Sequence, residues 1–370
     1  MILGIIGGGQ LAKMLVDETN RMRLETVVMT PYGSDPVCKS TKNVIYRSVD
    51  DCKGIKYLSE RCDAITFENE FVDIDTLRRE VIFNYRPSLE ALAICIDKYA
   101  QRQFLDELSV PQPSYRMFNL RERVNFPCVI KTTRFGYDGK GTYIIKNYKE
   151  LNDVSPKLVN VGLIKEEFIK FDKELAIMVA RNAEGEVALF PLVESVQSND
   201  NICDYVVAHN NFNSDVVHQA HMIAERIVHG LDYVGLMGIE MFLKDGQVLV
   251  NELAPRAHNS GHYTMDACHS SQFKIQVQSI TGEPFGDTSM KCQAALMINL
   301  LGYEYSYKEY TEELKAIAEI PNTTVHWYGK MESRPMRKLG HVNILLTNEQ
   351  LKYVHKYVHK VKQLWNPENK

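Results

Sequence analysis

The chain has 370 residues, 45% apolar and 24% charged, with a formal net charge of −4; that length suggests roughly two to three domains with an ample core, and the charge argues against a general nucleic-acid binder. Its eight cysteines include no Cys-x-x-Cys pair, which excludes a disulfide framework or a cysteine zinc site and points to reduced, intracellular thiols. There is no basic leader and no long apolar span, so neither a signal peptide nor a membrane helix is expected, and the compartment is expected to be the cytoplasm.

Residues 1–6 read as a short strand, broken by Gly7-Gly8-Gly9. Residues 10–23 then read as a helix with Leu11, Met14 and Leu15 on one face. Strands follow at 25–29, 44–45 and 64–67, and this β-α-β alternation implies an open, mostly parallel, Rossmann-like α/β sheet over 1–96. Residues 98–108 are helical and end before Pro111 and Pro113. A buried-strand pattern at 128–131, a glycine-rich loop and a strand at 142–145 form a small second unit, 97–173. The third unit, 174–370, is mixed α+β. Its strands are expected at 175–179, 187–192, 237–243, 247–251, 294–301 and 342–346, and its helices at 215–230 and 349–364. No internal repeat or low-complexity tract is present.

Gly7, Gly9 and Ala12 fit Gly-x-Gly-x-x-Ala after a strand. The second strand ends in Met29-Thr30-Pro31, without the acid that would hold a ribose diol. The helix opening near Gln10 still offers free N–H groups to an anion. A phosphate monoester therefore suits this corner better than a dinucleotide. In the second unit Lys131 precedes Gly136, Gly139 and Gly141. Such a loop can fold over phosphates, with Lys131 and Lys140 to neutralise them; the alternative is a tight hairpin with surface lysines. Its spacing is not that of a Walker A loop. Glu166-Glu167-Phe168-Ile169 and then Glu174 can hinge two lobes and hold a nucleoside, or can be a solvated acidic edge.

The densest polar run is Asn251-Glu252-Leu253-Ala254-Pro255-Arg256-Ala257-His258-Asn259-Ser260-Gly261-His262, where an apolar strand runs out. A second carboxylate, Glu240, lies upstream in another strand-like run. Two acids can hold Mg²⁺ while Arg256 neutralises phosphate. To share one cation, Glu240 and Glu252 must point to the same face. Side chains alternate along strands, so the loop between them decides. A two-residue turn at Asp245-Gly246 puts them on opposite faces; a three-residue loop, Lys244-Asp245-Gly246, puts them together. The three-residue loop is predicted. His258 and His262 are spaced as on a zinc helix, but Asn259-Ser260-Gly261 between them is poor helix material. His355 and His359 read as an ordinary helix surface.

These segments fall in a familiar order. Gly7-Gly8-Gly9-Gln10-Leu11, Gly136-Tyr137-Asp138-Gly139-Lys140-Gly141 and Gly238-Ile239-Glu240 come first. The run from Asn251 to Tyr263 follows, then Tyr328-Gly329-Lys330 and Arg337-Lys338-Leu339-Gly340-His341. On these residues the chain resembles the ATP-grasp enzymes, most closely the 5-(carboxyamino)imidazole ribonucleotide synthases of purine (IMP) biosynthesis. The resemblance implies a three-part ATP-grasp architecture: a Rossmann-like domain, a lid, and a C-terminal ATP-grasp domain with a small substrate-binding subregion. It implies ATP with one or two Mg²⁺ ions, bicarbonate and 5-aminoimidazole ribonucleotide as ligands, and carboxyphosphate as the intermediate. It further implies a cytoplasmic homodimer with no nucleic-acid or membrane partner.

Carried over by position, ATP would be met by Lys98, Lys131, Gly136, Gly139, Gly141, Glu166, Glu167, Phe168, Ile169, Glu174, Gln197, Asn251 and Glu252. Glu240 and Glu252 would hold the metal. Arg256 would face the transferred phosphate or bicarbonate, with Lys140 beside it, and His258 would handle the amine proton. The ribonucleotide would be met by Gly8, Gly9, Gln10, Leu11, Glu68, Tyr137, Asp138, Lys140, His258, Asn259, Lys330 and Arg337. Some positions depart from the family's pattern. Lys98 stands for a usual Arg, Gln197 for a usual His and Phe135 for a usual Gly, and Glu68-Asn69-Glu70-Phe71 replaces Glu-Phe-Glu-Asn. The competing readings are an ATP-grasp ligase for another small amine or acid, a nucleotide binder without turnover and, more distantly, a nicotinamide dehydrogenase.

Overall fold

A computed structural model of the chain describes residues 1–134, 141–198 and 202–367. The N-terminal strands form a four-stranded parallel sheet in the order Val44–Tyr46, Glu25–Thr30, Ile2–Ile6, Ala64–Phe67. Ile5, Ile6, Val28, Ile65 and Phe67 are buried on its two faces, the continuous apolar pattern of a covered parallel sheet. The helix Gln10–Arg21 buries Met14 and Leu15 of the expected face together with Ala12 and Val16, while Leu11 is only half-buried. Residues 115–167 carry a small antiparallel sheet, ordered Tyr115–Met117, Leu163–Glu167, Cys128–Thr132, Thr142–Ile145.

The rest is organised on a nine-stranded sheet. It runs from the edge strand Gln247–Ala254 through Gly235–Lys244, Lys173–Arg181, Val193–Gln197, Cys203–His209, Ala294–Leu301 and Lys338–Leu346 to Thr323–Trp327. The short strand Val187–Leu189 pairs onto Lys173–Arg181. One face packs against the helices Lys98–Glu107 and Ser214–Gly230, with Phe104, Leu105, Ile223, Ile227, Val250 and Leu253 in one core. The other face meets Gln272–Thr281 and the N-terminal helix, with Met14, Leu15, Met178, Phe273 and Val277 in another. The fold is thus α/β at the N-terminus and mixed α+β beyond it.

Three expectations from the sequence are corrected. The strand expected at 187–192 stops at Leu189, because Pro191 has no N–H to give a ladder; a new strand, Val193–Gln197, starts after it. The final helix is two helices. Thr347 and Gln350 form a capping box on Asn348–Leu351, and Val354–Trp365 starts afresh with Val354, Val358, Val361 and Trp365 buried. The third correction concerns the acidic hairpin and belongs to the site.

Candidate active site

The hairpin decides the site. Its strands turn at Asp245-Gly246, with φ of 50° and 78°, and Lys244 pairs with Gln247. This is a two-residue turn, not the predicted three-residue loop: Asp245 joins Gly246 in the left-handed region, as a type I′ turn requires. By itself that turn would send Glu240 and Glu252 to opposite faces. A bulge restores them. Met241 pairs with Val250 while Glu240 pairs with Glu252, so Asn251 is the extra residue. The two carboxylates then lie side by side and line a cleft of about 1020 Å³.

Their electrostatics are those of a waiting cation site. Burial and the neighbouring Glu252 carboxylate push Glu240 up to about 7. Burial opposes ionisation of Glu252 too, but Lys98 and Lys131 outweigh it and hold its carboxyl below the usual range. Lys98 Nζ lies 2.8 Å from Glu252 Oε2. The Asn251 side chain donates to Glu240 Oε2 at 3.4 Å. About a third of each acid remains open, 32% for Glu240 and 37% for Glu252, which leaves a cation a way in. Two adjacent carboxylates, one reluctant to ionise, with an amide beside them, suit a hard divalent cation.

Behind the acids lies a buried charge network. Lys131 Nζ pairs with Glu166 Oε2 at 2.8 Å and donates to Asn251 Oδ1 at 3.1 Å. Arg102 Nε donates to Glu166 Oε1 at 2.7 Å. Burial alone would raise Glu166, but Lys131 and Arg102 overcome it and hold its carboxyl at about 2. Burial pushes Lys131 down. Residues 166 and 167 alternate on their strand: Glu166 points inward and Glu167 is exposed, accepting from Ser114 Oγ at 3.1 Å. Glu174, raised by burial, is hydrogen-bonded by Gln197.

Beyond the hairpin, Arg256 Nε lies 2.9 Å from Glu70 Oε1 of the N-terminal unit. His258 Nδ1 shares a hydrogen bond of 2.7 Å with Ser260 Oγ, and its Nε2 is 3.4 Å from Glu240 Oε1. Gly238 admits that histidine: a Cβ there would lie 2.5 Å from His258 Cβ. The buried Asn259 side-chain amide has no protein hydrogen-bond partner among the described residues. The His262 ring is buried against Phe273 and His341 and bonds to Gln272 at 2.8 Å.

Residues 103–273 match the ATP-grasp domain family, 1–95 the ribonucleotide synthetase preATP-grasp domain, and 295–352 the phosphoribosylaminoimidazole carboxylase C-terminal domain. The chain is 40% identical to the N5-carboxyaminoimidazole ribonucleotide synthase of Synechocystis sp., over 99% of this chain and 98% of that protein. The chain belongs to the N5-carboxyaminoimidazole ribonucleotide synthase family. It is likewise similar to the N5-carboxyaminoimidazole ribonucleotide synthetase of Thermotoga maritima, with a TM-score of 0.87 at 34% identity over 98% of each chain. The Aspergillus clavatus N5-carboxyaminoimidazole synthase, solved with ADP and 5-aminoimidazole ribonucleotide, gives a TM-score of 0.88 at 25% identity, over 99% of this chain and 98% of that one.

Most of the residues singled out in the sequence line one cleft. Gln10, Leu11, Glu68, Lys98, Lys131, Glu166, Glu167, Phe168, Ile169, Glu174, Gln197, Glu240, Asn251, Glu252, Arg256, His258 and Asn259 all line the cleft. Gly8, Gly9, Gly141, Lys330 and Arg337 do not line it. The Gly9 N–H donates to Glu68 Oε2 at 3.0 Å, so the helix N-terminus expected to meet a phosphate already faces a carboxylate. Lys330 donates to the Lys338 carbonyl at 2.8 Å, and Arg337 to that of Glu332 at 2.7 Å. Phe135, Gly136, Tyr137, Asp138, Gly139 and Lys140 lie outside the described residues. Sequence reasoning missed Arg102, Gln101, Glu70 and Lys338 in this synthase. The first two had a signal: with Lys98 they fall at i, i+3 and i+4 on one helix face.

Proposed function

We propose that the chain uses ATP and bicarbonate to carboxylate the amine of 5-aminoimidazole ribonucleotide, giving 5-(carboxyamino)imidazole ribonucleotide in purine biosynthesis. The bulged hairpin carries this reading, because it sets Glu240 beside Glu252 with Lys131, Lys98 and Arg256 around them in a family member. ATP lies with its base at Glu167-Phe168-Ile169 and its phosphates toward Lys131 and Lys98. Glu240 and Glu252 would hold Mg²⁺, which when bound neutralises the polyphosphate. A bicarbonate oxygen attacks the γ-phosphorus and ADP leaves, with Arg256 neutralising the transferred group. The carboxyphosphate so formed releases phosphate and CO₂. The ribonucleotide amine attacks that CO₂ and gives up a proton. His258, whose ring lies in the cleft with Nε2 3.4 Å from Glu240 Oε1, takes that proton.

Lys330 and Arg337, both in the loop between the strands Thr323–Trp327 and Lys338–Leu346, would meet the substrate phosphate, and Asn259 would give its side-chain amide to the imidazole. We extend the reading to three units (1–96, 97–173 and 174–370) in a cytoplasmic homodimer with only small-molecule partners. Eight free cysteines and the net charge of −4 support the compartment and partners, and no described helix is long and apolar enough to cross a membrane. The homodimer rests on the family resemblance, and sedimentation equilibrium checks it.

ADP release is measured with ribonucleotide, bicarbonate and ATP, each of the first two omitted in turn. Release must need both. Release that needs bicarbonate but ignores the ribonucleotide means that carboxyphosphate forms and breaks down without this amine, and the ribonucleotide is then not the acceptor. The Glu252→Gln variant should lose turnover by about 100-fold or more; a near-normal rate removes the metal role.

A further inference from the structure

The strand Gln247–Ala254 is an edge of the nine-stranded sheet, so one row of its backbone groups has no neighbouring strand. The helix Lys98–Glu107 supplies that row with side chains. Arg102 donates to the carbonyls of Val250 and Asn251, from Nη1 at 3.0 Å and from Nη2 at 2.8 Å. Gln101 accepts from the Leu253 N–H at 3.1 Å, and Lys98 pairs with Glu252 at 2.8 Å. One helix face therefore holds four successive residues, 250–253. The bulge sits among them. Arg102 grips its extra residue and the residue before it, and its third nitrogen reaches Glu166, which in turn pairs with Lys131. The Arg102 side chain is 2% exposed, so its bonds to the Val250 carbonyl and to Glu166 are made away from water.

The two-residue turn alone puts Glu240 and Glu252 on opposite faces; only the extra residue at 251 brings them together. A slip of one residue would turn Glu252 away. We propose that Arg102 is the positioning residue of the carboxylate pair: it pins the bulge, and through Glu166 it places Lys131. This rests on the metal reading of Glu240 and Glu252. A planar fork can serve two carbonyls and a carboxylate at once, whereas a lysine is a single point of charge and cannot.

Arg102→Lys is the test, with Glu252→Gln beside it. Mn²⁺ binding to the ADP complex is followed by electron paramagnetic resonance, and amide exchange of residues 247–254 by mass spectrometry on the free enzyme. In R102K, Mn²⁺ affinity should fall by about 10- to 100-fold and exchange over 247–254 should rise, while KM for the ribonucleotide stays within about twofold. If E252Q loses Mn²⁺ affinity but R102K changes neither readout, Arg102 is not the positioning residue and the metal reading stands. If E252Q also keeps its affinity, both fail. Should R102K fold poorly, Arg102→Ala is assayed with added guanidinium: recovered Mn²⁺ affinity supports the proposal and no recovery overturns it.

Discussion

Glu240 is the residue that makes the site pH-sensitive. Its carboxyl is pushed up to about 7 by burial and by Glu252, so on the proposed metal role it keeps, below that pH, a proton that a divalent cation would have to displace. Mn²⁺ or Mg²⁺ affinity of the ADP complex should therefore rise with pH up to about 7, by close to tenfold per unit, and then level off. Calorimetry in two buffers of different ionisation heat should show about one proton released per metal bound at pH 6. Glu240→Gln should bind metal weakly and without this slope. An affinity that is flat from pH 6 to 8 would show that Glu240 does not ligate the ion. Both acids were legible in the sequence because Glu240 interrupts one apolar strand run and Glu252 closes another, where a polar group must have a use. Arg102 was not. It shares a helix face with Lys98 and Gln101, but an arginine in a helix reads as solvated, and the spacing does not say what that face packs against.

At the scale of elements, the hairpin shows how far a sequence argument reaches. Asp245-Gly246 marked the turn, and the need for Glu240 and Glu252 to share a face was correctly deduced. The device was misplaced: the extra residue is at Asn251, inside the strand, not in the loop. A bulge leaves no composition signal when the residue is not glycine. The strands Val193–Gln197 and Cys203–His209 escaped for a related reason, since both lie inside the sheet, where burial blurs the alternation. The start of the other hairpin strand makes a prediction of its own. A Cβ at Gly238 would come within 2.5 Å of His258 Cβ and 2.9 Å of its Cγ, so Gly238→Ala must displace that ring. A shift of about 1 Å at a reacting group costs on the order of 100-fold. G238A should lose that much in kcat, while ADP affinity, which does not involve His258, changes little. Equal losses in both would mean that the strand itself had been disrupted.

At the scale of the whole molecule, acid stability depends on a seam of histidines. His262, His341 and His326 stack in sequence, with ring centroids 4.8 and 4.5 Å apart. The seam joins the strands Lys338–Leu346 and Thr323–Trp327 to the end of the polar run 251–262. Burial holds His262 and His341 well below their ordinary 6.5, and His341 Nδ1 bonds to the buried Tyr328 hydroxyl at 2.9 Å. Their stabilising contribution is complete above pH 6.5. It is lost as pH falls below that value, because the unfolded chain takes up the protons first. Glu240 acts with the opposite sign: raised to about 7 from 4.5, it adds stability as pH falls through that window. Glu68 and Glu174, also raised by burial, share that sign, while His209 and His221, lowered by burial, share the sign of the seam; the two rings held well below their ordinary value should set the net direction. Glu166, held at about 2, adds a further loss from about pH 4.5 downward. The urea midpoint should therefore decline from pH 7.5 to 5 and fall again below 4.5. His341→Gln removes one of the two titrations, so its midpoint, though lower at pH 7.5, should depend less steeply on pH between 6.5 and 5. The slope is the readout that separates titration from lost packing: an equally steep decline in the variant would leave His341 with a packing role alone.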